Sequence, residues 1–245
     1  CKIEDERNIP KPLEFFTTSE ERSNPDGQLT VQKRISQIFQ RVKKRHGKIF
    51  DANDEIKLTP RSLAYIVSEL QRYSLLSTNI DIKGKAYEEI VGANLRGDRG
   101  EFFTPRNVMK MVVEMINPRI DERVLDSSCG TGGFLVQAMT HVIAQLEAEF
   151  SASMGIPKKD WDGDTVKVFQ DRISEMASTS FFGFDINPDL VKATKMNMVM
   201  NNDGSGNILQ TNSLLPPHEW TDEFKTRLAE ALHIKKSEIR NHESI

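Results

Sequence analysis

An α/β fold is predicted: a parallel sheet with helices on both faces, preceded by a small all-helical domain. Three observations predict it. The strand-like runs "RVLDS", "SFFGFDIN" and "GNILQTNSL" alternate with amphipathic helical runs over the C-terminal part. The first of these runs leads straight into a glycine-rich turn, "CGTGGF", as a strand entering a helix does. Residues 29–95, in contrast, carry helical periodicity and no obvious strand. The division falls in "LRGDRG", giving a helical domain with an extended arm over 1–97 and a sheet domain over 98–245.

Taken in order, residues 1–28 are polar and hold Pro10, Pro12, Pro25 and Gly27, which predicts an extended arm or loops. From Leu29, the side chains Val31, Ile35, Ile38, Phe39 and Val42 share one helical face, and the helix ends near Gly47. Lys33, Arg34, Arg41, Lys43 and Lys44 surround that face. They suit a phosphate backbone, or form an ordinary solvated surface, which is the plainer alternative. Pro60 suits the first turn of a second helix striped by Leu63, Ile66, Val67 and Leu70. "DIKGKAYEEIVGANLRG" predicts a third, short helix with Tyr87, Ile90, Val91 and Leu95 inward. "TPRNVMKMVVEMI" is then a helix and "RVLDS" a short buried strand. "GGFLVQAMTHVIAQLEAEF" is a long helix with Leu135, Ala138, Met139, Val142 and Leu146 inward. Polar residues 151–179 form an inserted loop and helix. "SFFGFDIN" is a strand, "PDLVKATKMNMVMNN" a helix whose Met196, Met198 and Met200 are ordinary packing, and "GNILQTNSL" a strand and loop.

Composition excludes several classes. With 38% hydrophobic and 28% charged residues the chain is an ordinary globular one. It has no membrane-length apolar stretch and no visible signal peptide, so no membrane partner is expected. Cys1 and Cys129 are the only cysteines, which makes neither a disulfide framework nor a metal cluster and fits a reducing cytoplasm. The five histidines lack ligand spacing, so no resident metal is expected. A net charge of −3 is low for a chain that grips DNA unaided, because phosphate neutralisation supplies most non-specific affinity. Either nucleic acid is not the partner, or other subunits or further segments bring the positive surface. Residue 1 is Cys and the end is "EIRNHESI", so a piece of a longer chain is expected.

The strongest chemical signal is "VLDSSCGTGGF". Ligands of doubly wound sheets bind beyond the carboxyl ends of strands. Gly130, Gly132 and Gly133 let the backbone turn sharply and leave room against bare main chain, and Asp126 stands where the strand runs out. Four readings compete. A triphosphate loop needs Gly-Lys-Ser/Thr, where Phe134 and Leu135 stand. A dinucleotide fingerprint needs a Gly at Leu135 and an acidic residue about 20 positions on, at a strand end; Glu147 and Glu149 lie late in a helix instead. A plain connecting turn stays possible. S-adenosylmethionine fits better, since it brings an ammonium, a carboxylate, a sulfonium, a ribose diol and an adenine but no phosphate. Asp126 suits the ammonium, and main-chain N–H groups suit the carboxylate.

Asp185 ends the second strand, where a carboxylate can take both ribose hydroxyls. Ile186 can lie on the adenine face. Asn187 and Pro188 start the next helix as cap and first residue, which weakens the alternative of Asp185 as a mere cap. Asn212, after the third strand, can pair with the adenine amino edge, although Asn is also common in turns.

In order and spacing, "GEFFTPR", "DSSCGTGGF", "FFGFDINP" and "NILQTNSL" resemble the cofactor motifs of amino-methylating DNA methyltransferases. More narrowly, the chain resembles the modification subunit of type I restriction-modification systems over about residues 29–215, with "DIKGKAYEEIVG" similar to that family's lead-in. The resemblance implies a Rossmann-like S-adenosylmethionine-dependent methyltransferase sheet and N6-adenine DNA methylation. It implies that the loop Glu101, Phe102, Phe103, Thr104, Pro105, Arg106 folds over the loop Cys129, Gly130, Thr131, Gly132, Gly133, Phe134, both meeting the methionine part of the cofactor. Asp185 would hold the ribose. Implied partners are DNA, a specificity subunit, a second modification subunit and a restriction subunit.

Two departures stand out. Ser127 and Ser128 replace the family's Pro-Ala, and Asn212 replaces an acidic residue. The catalytic Asn/Asp-Pro-Pro-aromatic run is missing: "LLPPHEW" has two prolines but no preceding Asn and no aromatic in place. No catalytic residue is assigned, and the chain by itself is expected to be inactive. Alternatives are a catalytically incomplete S-adenosylmethionine-binding or assembly module, an RNA or protein methyltransferase of the same fold, and a nicotinamide dehydrogenase.

Overall fold

The computed structural model describes residues 13–47, 49–72, 104–201 and 205–239. The chain divides into two compact units, 1–83 and 84–245. The third predicted helix, with Tyr87, Ile90, Val91 and Leu95, lies outside the described residues.

The first unit is helical as far as it is described. Helix α1 (Ser19–Ser23) opens with a capping box in which the Thr18 side chain accepts from the Glu21 N–H and Glu21 reaches back to the Thr18 N–H. Helix α2 (Pro25–Arg45) follows, capped by Asn24 with Pro25 at its first position. The extended arm expected up to residue 28 is therefore corrected: the chain is helical from Ser19, because Pro25 starts a helix instead of breaking one. Helix α3 (Pro60–Leu70) is capped by Thr59. Val31, Ile35 and Ile38 of α2 pack on Leu63, Ala64 and Val67 of α3. Ile66 and Leu70, expected inward, lie on the exposed side. Much of α2's basic surface serves the unit itself. Arg34 forks onto Glu21 and donates to the Phe16 carbonyl, Arg41 pairs with Glu14, and Lys43 donates to the carbonyls of Ala52 and Asp54.

Among its described residues the second unit holds a parallel sheet of three strands, in the order β1 (Val124–Asp126), β2 (Phe181–Asp185), β3 (Ile208–Gln210). Its helices are α4 (Arg106–Ile116), α5 (Gly133–Met154), α6 (Gly163–Ser180), α7 (Pro188–Met200) and α8 (Asp222–Leu232). Every residue of β2 is buried. On one sheet face Phe184 and Leu209 meet Phe224 and Leu228 of α8, with the Phe184 and Phe224 rings edge-on at 5.2 Å. On the opposite face, reached by strand alternation, Gly183 lets α5 approach: a Cβ there would stand 2.8 Å from Leu135 Cδ1 and 3.2 Å from Cys129 Sγ. The polar stretch 151–179 becomes the end of α5, a short turn and α6, anchored where Trp161, Phe169 and Ile173 pack on Leu146.

β1 is not the buried strand expected. Leu125 is 56% exposed, and among the described residues β1 pairs with β2 alone. A groove beside it is lined by Val112, Ile116, Leu125 and Phe134. No helix among the described residues is long and apolar enough to cross a membrane.

Candidate functional site

The carboxyl ends of β1 and β2 converge on the glycine turn. After β1, the Cys129 N–H donates to the Phe184 carbonyl at 2.8 Å, fastening the turn to β2. Gly130 and Gly132 take positive φ values of 54° and 81°, a region open to glycine and costly for other residues. Gly132 caps α5, and a Cβ on it would lie 2.8 Å from Thr194 Cγ2. A Cβ on Gly130 would meet nothing within 4 Å, so there the main chain borders open space. The N–H groups of Thr131 and Gly133 donate to nothing among the described residues, leaving two main-chain donors at the start of a long helix.

Asp185 is the hub of the site. It is buried, yet Oδ2 accepts from the Gly130 N–H and Oδ1 from the Asn187 N–H, each at 2.9 Å. A carboxylate has about four lone-pair sites, so these two bonds fix its orientation and leave capacity for a diol. Asn187 accepts from the Asp189 N–H and fills the cap role, as its sequence position predicts. Asp126 sits at the end of the neighbouring strand and accepts from the Ser128 N–H at 3.1 Å. Burial holds its carboxyl above the ordinary aspartate range; the Ser128 N–H works against this, and the Asp185 charge adds to it. Two acidic groups at adjacent strand ends favour a ligand with a cationic part. The Cys129 thiol is pushed up to about 12 by burial, so it stays protonated and serves packing against Gly183 and Thr194.

The remaining predicted residues flank this hub. Ile186 is 63% exposed and lines, with Asn212, Thr211, Trp220 and Arg227, a groove on the β3 side. Asn212 also shapes its own turn, its Oδ1 accepting from the Leu214 N–H. Phe134 lines the other groove, beside Asp126 and Ser127 at the β1 edge. Thr104 and Pro105 are exposed and lead into α4, with Arg106 its first residue. That helix is tied to the turn, since a Cβ on Gly133 would stand 2.7 Å from Met109 Sδ. Glu101, Phe102 and Phe103 lie outside the described residues.

Sequence reasoning missed three residues. Thr194 donates to the Gly130 carbonyl at 2.6 Å and Asn197 to the Thr131 carbonyl at 2.9 Å, both from the buried side of α7. Ser213 donates to the Ser127 carbonyl at 2.6 Å, joining the loop after β3 to the loop after β1 across the end of β2. Polar residues at helical spacing within the methionine-rich α7 were the available signal for the first two. Ser213 left none.

Residues 78–230 match the model of the N-6 DNA methylase family. Among similar proteins, the type II restriction enzyme and methyltransferase RM.BcgI of Heyndrickxia coagulans is 27% identical over 66% of this chain and 23% of its own length. The type I restriction enzyme EcoEI methylase subunit of Escherichia coli is 45% identical over 24% of this chain and 12% of its own. A solved restriction enzyme modification subunit from Vibrio vulnificus YJ016 is 27% identical, covering 66% of this chain and 30% of that one, with a TM-score of 0.41. The matches thus span less than a third of each relative. With most of its length under the family model, including both strand ends that carry Asp126 and Asp185, this chain belongs to the N-6 DNA methylase family.

Proposed function

We propose that this chain binds S-adenosyl-L-methionine and belongs to a DNA adenine-N6 methyltransferase, the modification subunit of a type I restriction-modification system. The observation that carries this is Asp185, buried and oriented by two main-chain donors while it faces the glycine turn. The chemistry of the donor set fits the cofactor. Asp185 would take the ribose hydroxyls, and Ile186 and Asn212 the adenine face and edge. Asp126 would take the ammonium, and the free N–H groups of Thr131 and Gly133 the carboxylate. Gly130 keeps the wall bare, Gly132 and Gly133 let α7 and α4 pack behind it, Thr104, Pro105 and Arg106 would close it from the start of α4, and Glu101, Phe102 and Phe103 precede them in sequence. When bound, the cofactor supplies a methyl group activated on a sulfonium. This chain's residues bind and align it, and alignment of reactants can contribute on the order of 7–11 kcal/mol.

No residue here is assigned to activate the adenine amine. Pro216 and Pro217 lead into a short turn ending at Trp220, with no Asn before them. Residues 1–97 would form the helical N-terminal domain and 98–245 the cofactor-binding portion of the methyltransferase domain. Partners would be DNA, a separate specificity subunit, a second modification subunit and a restriction subunit, in the cytoplasm. The similarity to RM.BcgI, a type II restriction enzyme and methyltransferase, favours a second reading in which modification and cleavage share one polypeptide.

Two measurements test the proposal. Calorimetric titration should show S-adenosylmethionine binding in preference to NAD, and full-length protein should transfer labelled methyl groups to adenine-containing duplexes when its specificity partner is present. Binding of NAD alone, or labelling of RNA or protein in place of DNA, would refute it.

A further inference from the structure

The glycine turn has one internal bond, from the Gly132 N–H to the Cys129 carbonyl. Gly130 and Gly132, both at positive φ, have no side chains of their own to hold the peptides between them. Both carbonyls of that stretch are instead gripped from α7. Thr194 Oγ1 donates to the Gly130 carbonyl, and Asn197 Nδ2 to the Thr131 carbonyl. These donors are themselves fixed: Thr194 is fully buried, and Asn201 Nδ2 donates to both the carbonyl and Oδ1 of Asn197.

The peptide plane makes this matter for the ligand. In a trans peptide the C=O of one residue and the N–H of the next point in opposite directions. Holding the Gly130 carbonyl toward α7 therefore aims the Thr131 N–H away from α7. Holding the Thr131 carbonyl aims the Gly132 N–H, which donates to the Cys129 carbonyl at 2.7 Å and closes the turn. We propose that Thr194, supported by Asn197, is a positioning residue: it fixes the peptide between Gly130 and Thr131 so that the Thr131 N–H is presented to the cofactor's carboxylate. This rests on the S-adenosylmethionine reading above, and it adds a control residue located outside the site.

Thr194→Val and Thr194→Ser separate this role from packing. Val keeps the buried shape and removes the hydroxyl; Ser keeps the hydroxyl and removes a methyl. Positioning predicts that Thr194→Val weakens S-adenosylmethionine binding about tenfold, as loss of one buried hydrogen bond would, and speeds amide exchange at Thr131. Thr194→Ser should bind within about twofold of the parent. Asn197→Asp, which puts an acceptor against the Thr131 carbonyl, should behave like Thr194→Val. A packing role predicts the reverse order, with Ser worse than Val, and that outcome overturns the proposal. So does Thr131 exchange that is unchanged in Thr194→Val. If the parent chain binds no S-adenosylmethionine, the functional reading falls together with the cofactor half of this proposal, and amide exchange alone decides whether Thr194 fixes the peptide plane.

Discussion

Replacing Gly132 by Ala adds one methyl group at the point where backbone geometry and packing both forbid it. Gly132 has φ of 81°, and the left-handed region costs an L-residue roughly 1–2 kcal/mol. The new Cβ would also stand 2.8 Å from Thr194 Cγ2, inside a contact that real side chains do not make. Overpacking of this kind costs about 1–3 kcal/mol. The two together predict a loss of about 2–5 kcal/mol, a large share of the roughly 5–15 kcal/mol that holds a domain folded. Both tryptophans, Trp161 and Trp220, lie in the second unit, so urea titration followed by tryptophan fluorescence reports the unit that carries the change. Thr194→Ser deletes Cγ2 and should recover the packing part while leaving the backbone part. A double-mutant cycle should therefore give a coupling of about 1–3 kcal/mol. A Gly132→Ala chain within about 0.5 kcal/mol of the parent, or strict additivity with Thr194→Ser, would refute the reasoning.

Three further outcomes are expected. Burial raises the Asp126 carboxyl in the folded state above its unfolded value, so ionised Asp126 destabilises at neutral pH and stability rises as pH falls through the window just above the ordinary aspartate range. S-adenosylmethionine affinity should fall over that same window as the partner of its ammonium is neutralised, and Asp126→Asn should flatten both profiles in calorimetric and thermal titrations. Ser213→Ala removes the bond to the Ser127 carbonyl that spans the end of β2, and should speed S-adenosylmethionine association in stopped-flow Trp220 fluorescence; an unchanged rate would mean that this loop does not limit entry. Thr18→Ala breaks the capping box of α1 and should cost about 1 kcal/mol in the first unit, measured by circular dichroism during thermal unfolding.

Long periodic runs were legible because burial imposes one spacing on them. Leu135, Ala138, Met139, Val142 and Leu146 all lie inward on α5, and Val31, Ile35 and Ile38 on α2. Short-range chemistry was legible as well: Asn187 caps α7 and Pro60 opens α3. The α1 region misled because Pro25 and Gly27 look like breakers, and only the capping groups of Thr18 and Asn24 show that two helices start there. Asp185 was legible as a strand-end carboxylate, but its two main-chain donors come from Gly130 and Asn187, one of them far away in sequence. For the same reason the grip of Thr194 and Asn197 on the turn was hidden: it joins residues separated by an entire strand and two helices. Leu125 shows the limit of apolar pattern alone, since a hydrophobic strand residue does not reveal whether a neighbour covers it.

The most direct measurement is a crystal structure of this chain grown with S-adenosylhomocysteine. The account predicts both ribose hydroxyls on the Asp185 carboxylate and the amino-acid tail against the turn from Cys129 to Gly133, with its carboxylate on the Thr131 N–H. A nucleoside bound elsewhere, or one that leaves Asp185 bonded only to Gly130 and Asn187, would contradict it.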